Sequence, residues 1–84
     1  MKTIEEVAEE LLQSVKAKYP ELEEFGRTTD PEDKEHIWIR VYAPYDEDTR
    51  MAIHSYASEL ETDILLDYDY KISVIPYEAR WEYR

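Results

Sequence analysis

The chain has 84 residues, enough for one domain over 1–84, and it contains no cysteine, which excludes disulfides and thiolate chemistry. Its 10 basic and 21 acidic side chains give a net charge of −11, spread evenly along the sequence. Nucleic-acid binding needs clustered lysine and arginine, so we expect no nucleic-acid partner. No apolar run approaches the ~20 residues that span a bilayer, and the acidic N-terminus lacks a signal region. We therefore expect a cytoplasmic protein that does not contact a membrane.

An apolar series at helical spacing follows Thr3 and predicts a first helix over residues 4–18. Thr3 and Glu6 form the pattern Thr-x-x-Glu, which is typical of a capping box at a helix start. Pro20 ends the helix, because the residue before a proline avoids helical geometry.

The next segment is expected to be irregular before a strand begins. Leu22 and Phe25 are predicted to add one helical turn closed by Gly26, and residues 26–35 to form a polar loop. Residues 36–43 alternate strictly and predict a strand. One face of that strand carries Ile37, Ile39, Val41 and Ala43, and the other carries His36, Trp38, Arg40 and Tyr42.

A second helix is predicted over residues 47–66, capped by Asp46 or Asp48. A second strand over 70–76 follows it. The intervening helix is long enough for a crossover, so the two strands are expected to be parallel.

The C-terminal residues alternate most regularly of all. Apolar and charged positions take turns along Tyr77, Glu78, Ala79, Arg80, Trp81, Glu82, Tyr83 and Arg84. This alternation is out of phase with the preceding strand, and the break falls at Pro76, where a bulge would shift the phase. The pattern favours one long, bent edge strand over 70–84, and the alternative is a helical turn that starts near Tyr77.

The predicted fold class is α+β, in the order α-β-α-β(-β), with two helices packed on one face of a small mixed sheet. An open sheet edge invites pairing, so we expect a homodimer through residues 77–84. If Trp81 lies opposite Trp81 in an antiparallel pair, Arg80 meets Glu82 and Glu78 meets Arg84. Every charged pair is then complementary.

No residue is singled out as catalytic, cofactor-binding or metal-binding. One glycine cannot build a glycine-rich phosphate loop. His36 and His54 have no ligand-like partner four residues on, and structural or surface roles are favoured for both. Trp38, Arg40 and Tyr42 are the candidate ligand or partner face, unless the C-terminal segment or a second chain covers them.

The segment from Ile37 to Arg84 resembles the later half of minimal nucleotidyltransferase domains of the polymerase-beta type. The similar features are a strand IWIRVYAP, an acidic helix start YDEDTR, a helix MAIHSYASELETDILL and a strand YKISVIPYE followed by ARWEYR. That family's active site needs Gly-Ser followed by Asp-x-Asp at its strand. Here Gly26 precedes Arg27 and the strand opens His36-Ile37-Trp38, so no catalytic residue carries over.

The expected function is a non-catalytic, homodimeric interaction module without a cofactor. One alternative is an acidic mimic or neutraliser of a basic partner protein, which the net charge of −11 suggests. The other alternative follows from the resemblance, which implies a degenerate nucleotidyltransferase-like binder of nucleotide or metal.

Overall fold

Two helices and a three-stranded sheet make up the part of the chain that the computed structural model describes, residues 1–78. The sheet has the strand order β1-β2-β3, with β1 and β2 antiparallel and β2 and β3 parallel. The expected α+β class, the mixed sheet and the parallel strand pair are therefore confirmed. The elements are α1 (Ile4–Lys18), β1 (Glu23–Asp30), β2 (Asp33–Tyr42), α2 (Glu47–Tyr68) and β3 (Lys71–Tyr77).

Helix α1 begins and ends where the sequence predicts. The Thr3 hydroxyl accepts a hydrogen bond from the Glu6 amide at 3.2 Å, and the Glu6 carboxylate accepts one from the Thr3 amide at 3.0 Å. This reciprocal capping box satisfies two amides that the helix cannot pair internally. The hydrogen bond from the Thr3 amide also lowers the pKa of Glu6.

The segment before β2 differs from the sequence prediction. Residues 23–30 form a strand, neither a helical turn closed by Gly26 nor a polar loop. Arg27 lies opposite Ile39 and Thr28 opposite Trp38, with register shifts near both ends of β1. The Asp30 carboxylate accepts a hydrogen bond from the Glu32 amide at 2.8 Å, which closes the tight turn to β2. The element order is accordingly α-β-β-α-β.

Strand β3 lies at an edge of the sheet, as predicted for the C-terminal strand. Its register with β2 runs unbroken from His36 opposite Lys71 to Tyr42 opposite Tyr77. The bulge predicted at Pro76 is therefore wrong. Pro76 pairs with Val41 in that register, and the strand tolerates it because an edge strand keeps one side free of ladder bonds.

Helix α2 crosses from β2 to β3 on the same side of the sheet as α1. Asp46 caps it, and its carboxylate accepts a hydrogen bond from the Thr49 amide at 3.2 Å. Asp69 ends it in a left-handed conformation with φ of 60°. Asp and Asn adopt that conformation more readily than other non-glycine residues.

The core lies between the helices and the aliphatic face of the sheet. Helix α1 contributes a continuous stripe at helical spacing, and β2 and β3 contribute alternate residues. No polar side chain of residues 1–78 is fully buried. The buried set is Val7, Ala8, Leu11, Leu12, Val15, Leu22, Ile39, Val41, Ala43, Ile53, Ala57, Ile72 and Val74.

Candidate functional site

The face of the sheet that points away from the helices carries the candidate site. Strand alternation places Trp38, Arg40 and Tyr42 on this face, and the β2–β3 register aligns Ser73, Ile75 and Tyr77 with them. Within residues 1–78, both helices lie on the opposite face. We call this surface the second face, and it comprises Phe25, His36, Trp38, Arg40, Tyr42, Ser73, Ile75 and Tyr77.

One end of the second face is aromatic and holds a guanidinium. The Phe25 and Tyr77 rings are 5.4 Å apart, and the Arg40 guanidinium carbon lies 5.5 Å from the Phe25 ring centroid. This distance is within the range of a cation–π interaction. A Cβ on Gly26 would lie 2.6 Å from Nη2 of Arg40, so the absence of a side chain at Gly26 makes room for the guanidinium.

Arg40 has an unusual electrostatic environment for so acidic a chain. Its Nε is buried and has no hydrogen-bond partner among residues 1–78. No carboxylate of the described residues forms an ion pair with it, whereas the other two arginines of residues 1–78, Arg27 and Arg50, are both ion-paired. Buried polar atoms nearly always have a partner, so the Nε of Arg40 is unusual among the side chains of residues 1–78.

The other end of the second face is polar. Nε2 of His36 lies 2.7 Å from Oγ of Ser73, and Nδ1 of His36 lies 3.7 Å from Oδ2 of Asp30. Lys71 donates a hydrogen bond to Asp33, which lowers the pKa of Asp33 and raises that of Lys71. His36 also meets the Trp38 ring edge-on, with ring centroids 6.4 Å apart.

A groove runs beside this polar end, between the free edge of β3 and α2. It encloses about 370 Å³. The Glu61 carboxylate lies in its wall and accepts a hydrogen bond from the Val74 amide at 2.8 Å. Burial raises the pKa of Glu61, although the hydrogen bond from Val74 acts in the opposite direction. The lining includes His36, Ser73, Lys71, Tyr70, Leu65 and Glu61.

The structure places the three residues of the predicted face together and describes two of the predicted interface residues. Trp38, Arg40 and Tyr42 share one face, each of them partly buried. Of the predicted interface, Tyr77 lies on the second face, and Glu78 accepts a hydrogen bond from Arg50 at 3.2 Å. The remaining predicted interface residues lie outside the described part of the chain. They are Ala79, Arg80, Trp81, Glu82, Tyr83 and Arg84.

Sequence reasoning missed the grouping of His36 with Ser73 and Asp30. The sequence favours a structural or surface role for His36, because no ligand-like residue follows four positions on. Its partners are on the two neighbouring strands, 37 positions along the chain at Ser73 and six positions back at Asp30. Only the register of all three strands reveals the contact.

Residues 1–78 contain no group of three or more histidine, aspartate or glutamate side chains placed to hold a metal ion. Gly26, which the nucleotidyltransferase resemblance aligned with a Gly-Ser turn, lies within β1 opposite Arg40. No helix of the described residues is long and apolar enough to cross a membrane.

Comparisons with protein-family models, with curated proteins and with solved structures found no significant match.

Proposed function

We propose that the chain is a protein-interaction module that binds a second copy of itself through residues 77–84 and the adjoining aromatic end of the second face. The observation that carries the proposal is the Arg40 guanidinium, which lies 5.5 Å from the Phe25 ring centroid and whose buried Nε has no hydrogen bond among residues 1–78. Arginine among tyrosine and tryptophan side chains is the usual composition of a binding hot spot.

A second copy is the occupant that the sequence favours. The alternation of residues 77–84 is complementary to itself in an antiparallel pair centred on Trp81. Arg80 then meets Glu82, and Glu78 meets Arg84. Such cross-strand pairs contribute only about 0.2–1 kcal/mol each, so they set the register while the aromatic side chains supply the burial.

The size of the chain supports the same proposal. Domains of this length bury only roughly 60% of their unfolded surface, and the chain has no cysteine with which to add a disulfide. Association with a second copy is one of the remaining ways to extend a small core.

The test is the molar mass in solution, measured by light scattering behind a sizing column over a range of concentrations. We expect the full chain to be a dimer and Trp81→Arg to be a monomer. Met51→Arg is the matched control, because Met51 is 63% exposed on α2, which lies on the other side of the sheet. It should remain a dimer.

A second variant tests the role of Arg40. Arg40→Glu should abolish the dimer while its circular dichroism spectrum stays that of the parent, because it removes the guanidinium that lies against Phe25 and adds negative charge to a chain whose net charge is already −11. A parent chain that is a monomer at every concentration would refute the proposal, and so would a Trp81→Arg variant that is still a dimer.

A further inference from the structure

Three side chains that are distant in sequence meet at the polar end of the second face. His36 on β2 lies between Ser73 on β3 and Asp30 at the end of β1, at 2.7 Å and 3.7 Å respectively. The Asp30 carboxylate is only partly exposed, as is the His36 ring. The β2–β3 register places Ser73 diagonally opposite His36, because Lys71 pairs with His36 and Ser73 with Trp38, and Asp30 ends β1 on the other side of β2.

This order of groups is that of an activated serine. A hydroxyl becomes a nucleophile when a base within hydrogen-bond reach takes its proton and a third group orients that base. Nε2 of His36 is within reach of the Ser73 hydroxyl. In the tautomer whose single N–H is on Nδ1, the imidazole directs that proton towards Asp30 and the lone pair of Nε2 towards the Ser73 hydroxyl. The Nδ1–Oδ2 distance of 3.7 Å is longer than a hydrogen bond, and such contacts often tighten only when substrate binds.

The groove beside β3 gives the serine room for a ligand. His36 and Ser73 both line it, and Leu65 and Tyr70 supply apolar surface. The Val74 amide points towards α2, where Glu61 accepts its hydrogen bond. Amides two residues apart on a strand point the same way, so the Ile72 amide is also directed to this free edge. Ile72 lines the groove, so its amide is the donor that the proposal assigns to a developing oxyanion.

We propose that Ser73 is a nucleophile for acyl transfer and that this groove hydrolyses small, uncharged carboxylic esters. The net charge of −11 disfavours anionic substrates, and the modest volume disfavours large ones. This activity goes beyond the proposed interaction role and does not depend on it.

The reaction proceeds in two balanced steps. Oγ of Ser73 bonds to the ester carbonyl carbon while its proton passes to Nε2 of His36. The bond to the alkoxy group then breaks, and that group leaves as the alcohol with the proton from His36. Water gives a proton to the same nitrogen and bonds to the acyl carbon. The bond from that carbon to Oγ then breaks, Oγ takes the proton back from His36, and the carboxylic acid leaves. Asp30 touches neither reactant and is a positioning residue.

The first test is covalent labelling of the full chain by a fluorophosphonate, followed by intact mass and peptide mapping. Labelling forms a bond from Oγ to phosphorus and releases fluoride. We expect one adduct, on Ser73. Ser73→Ala should not be labelled, and His36→Gln should be labelled about 100-fold more slowly, the low end of a general base's contribution. Ser55→Ala is the matched control and should behave as the parent, because Ser55 is exposed on α2 and does not line the groove.

The second test measures kcat and KM for hydrolysis of p-nitrophenyl acetate at a fixed pH. Ser73→Ala and His36→Gln should lower kcat with little change in KM, because both groups act in the chemical step. Asp30→Asn should lower kcat by a smaller factor without changing KM, and Asp30→Glu should restore it, which a merely structural role would not do. Melting temperatures show whether each variant is folded. An unlabelled parent chain, or an adduct that maps to another residue, would overturn the proposal.

Discussion

Position 26 requires glycine for a steric reason and not for its backbone conformation. No glycine of residues 1–78 has a positive φ, so glycine is favoured here because it has no Cβ. The space beside it is occupied by Nη2 of Arg40, 2.6 Å from where a Cβ would be. Gly26 and Arg40 are therefore expected to be coupled energetically.

A double-mutant cycle measures this coupling. Alanine in place of glycine in a strand is worth about 0.5–1 kcal/mol of stability where nothing obstructs it. In the parent, Gly26→Ala displaces the guanidinium, so we expect little or no gain in the free energy of unfolding. In an Arg40→Ala background the obstruction is gone and the full gain should appear. Urea unfolding at a fixed protein concentration measures all four chains, and equal effects in both backgrounds would show that the two residues are independent.

At the same scale, sequence reasoning predicted one half of the candidate site and missed the other. Strict alternation over residues 36–43 was sufficient to place Trp38, Arg40 and Tyr42 together, because a strand has a fixed period of two. The contact of His36 with Ser73 and Asp30 depends on how three strands align. Register across a crossover helix leaves no local signal in the sequence.

Among the elements, the outer edge of β3 is protected in two different ways. Pro76 has no amide proton to offer, and the amide of Val74 is occupied by the Glu61 carboxylate. The backbone nitrogens of both residues point to the free side of the strand. Such devices prevent an edge from templating further strands, so we expect β3 not to pair edge-to-edge with another chain over residues 74–76.

Variants of Glu61 separate its hydrogen bond from its charge. Glu61→Ala leaves the Val74 amide without an acceptor, which should cost about 1–3 kcal/mol. Glu61→Gln keeps an acceptor and removes a desolvated charge, so at neutral pH it should be at least as stable as the parent. Chemical unfolding as a function of pH measures both effects.

The sign of the pH dependence follows from the raised pKa of Glu61. The folded state binds this proton more tightly than the unfolded state, so the ionised carboxylate destabilises the fold above the folded pKa. That cost disappears as pH falls to the unfolded value, and the advantage of Glu61→Gln over the parent should disappear with it. Met51→Gln, at an exposed position of the same helix, changes no titratable group and should show no such trend.

A comparison of α1 with β1 explains why the sequence analysis did not predict β1. Helix α1 carries a cap, a stop and an apolar stripe, which all agree, and its bounds were predicted correctly. Strand β1 has the sequence EEFGRTTD, with one large apolar residue and no alternation. Its conformation comes from pairing with β2, and tertiary context of this kind overrides weak local propensity.

At the scale of the whole molecule, charge is the dominant feature. A net charge of −11 on a fold whose radius of gyration is 12.3 Å creates repulsion throughout the surface. The Debye length falls from about 30 Å at ~0.01 M salt to about 8 Å at ~0.15 M, which is shorter than that radius. Salt in this range therefore screens the overall repulsion. It weakens the ion pairs of residues 1–78 as well, but exposed pairs are worth only about 0.2–1 kcal/mol each.

We therefore expect the melting temperature to rise between those two salt concentrations. Thermal unfolding followed by circular dichroism at constant protein concentration measures it. Sodium chloride and choline chloride should act alike, because screening depends on ionic strength and not on the identity of the cation. A fall in melting temperature would mean that the ion pairs outweigh the net repulsion.

The mixed sheet also has a consequence for how the chain folds. The β1–β2 hairpin joins neighbouring segments through a tight turn, whereas the parallel pairing of β2 with β3 must wait for the 22 residues of α2 to lie between them. Closing a short loop takes far less time than assembling a crossover. Ile72 and Val74, both core residues on β3, are therefore the last to be buried in the core. We expect an early species with a formed hairpin and an apolar sheet face still in water, so that the slow step of folding is the docking of a single seven-residue strand.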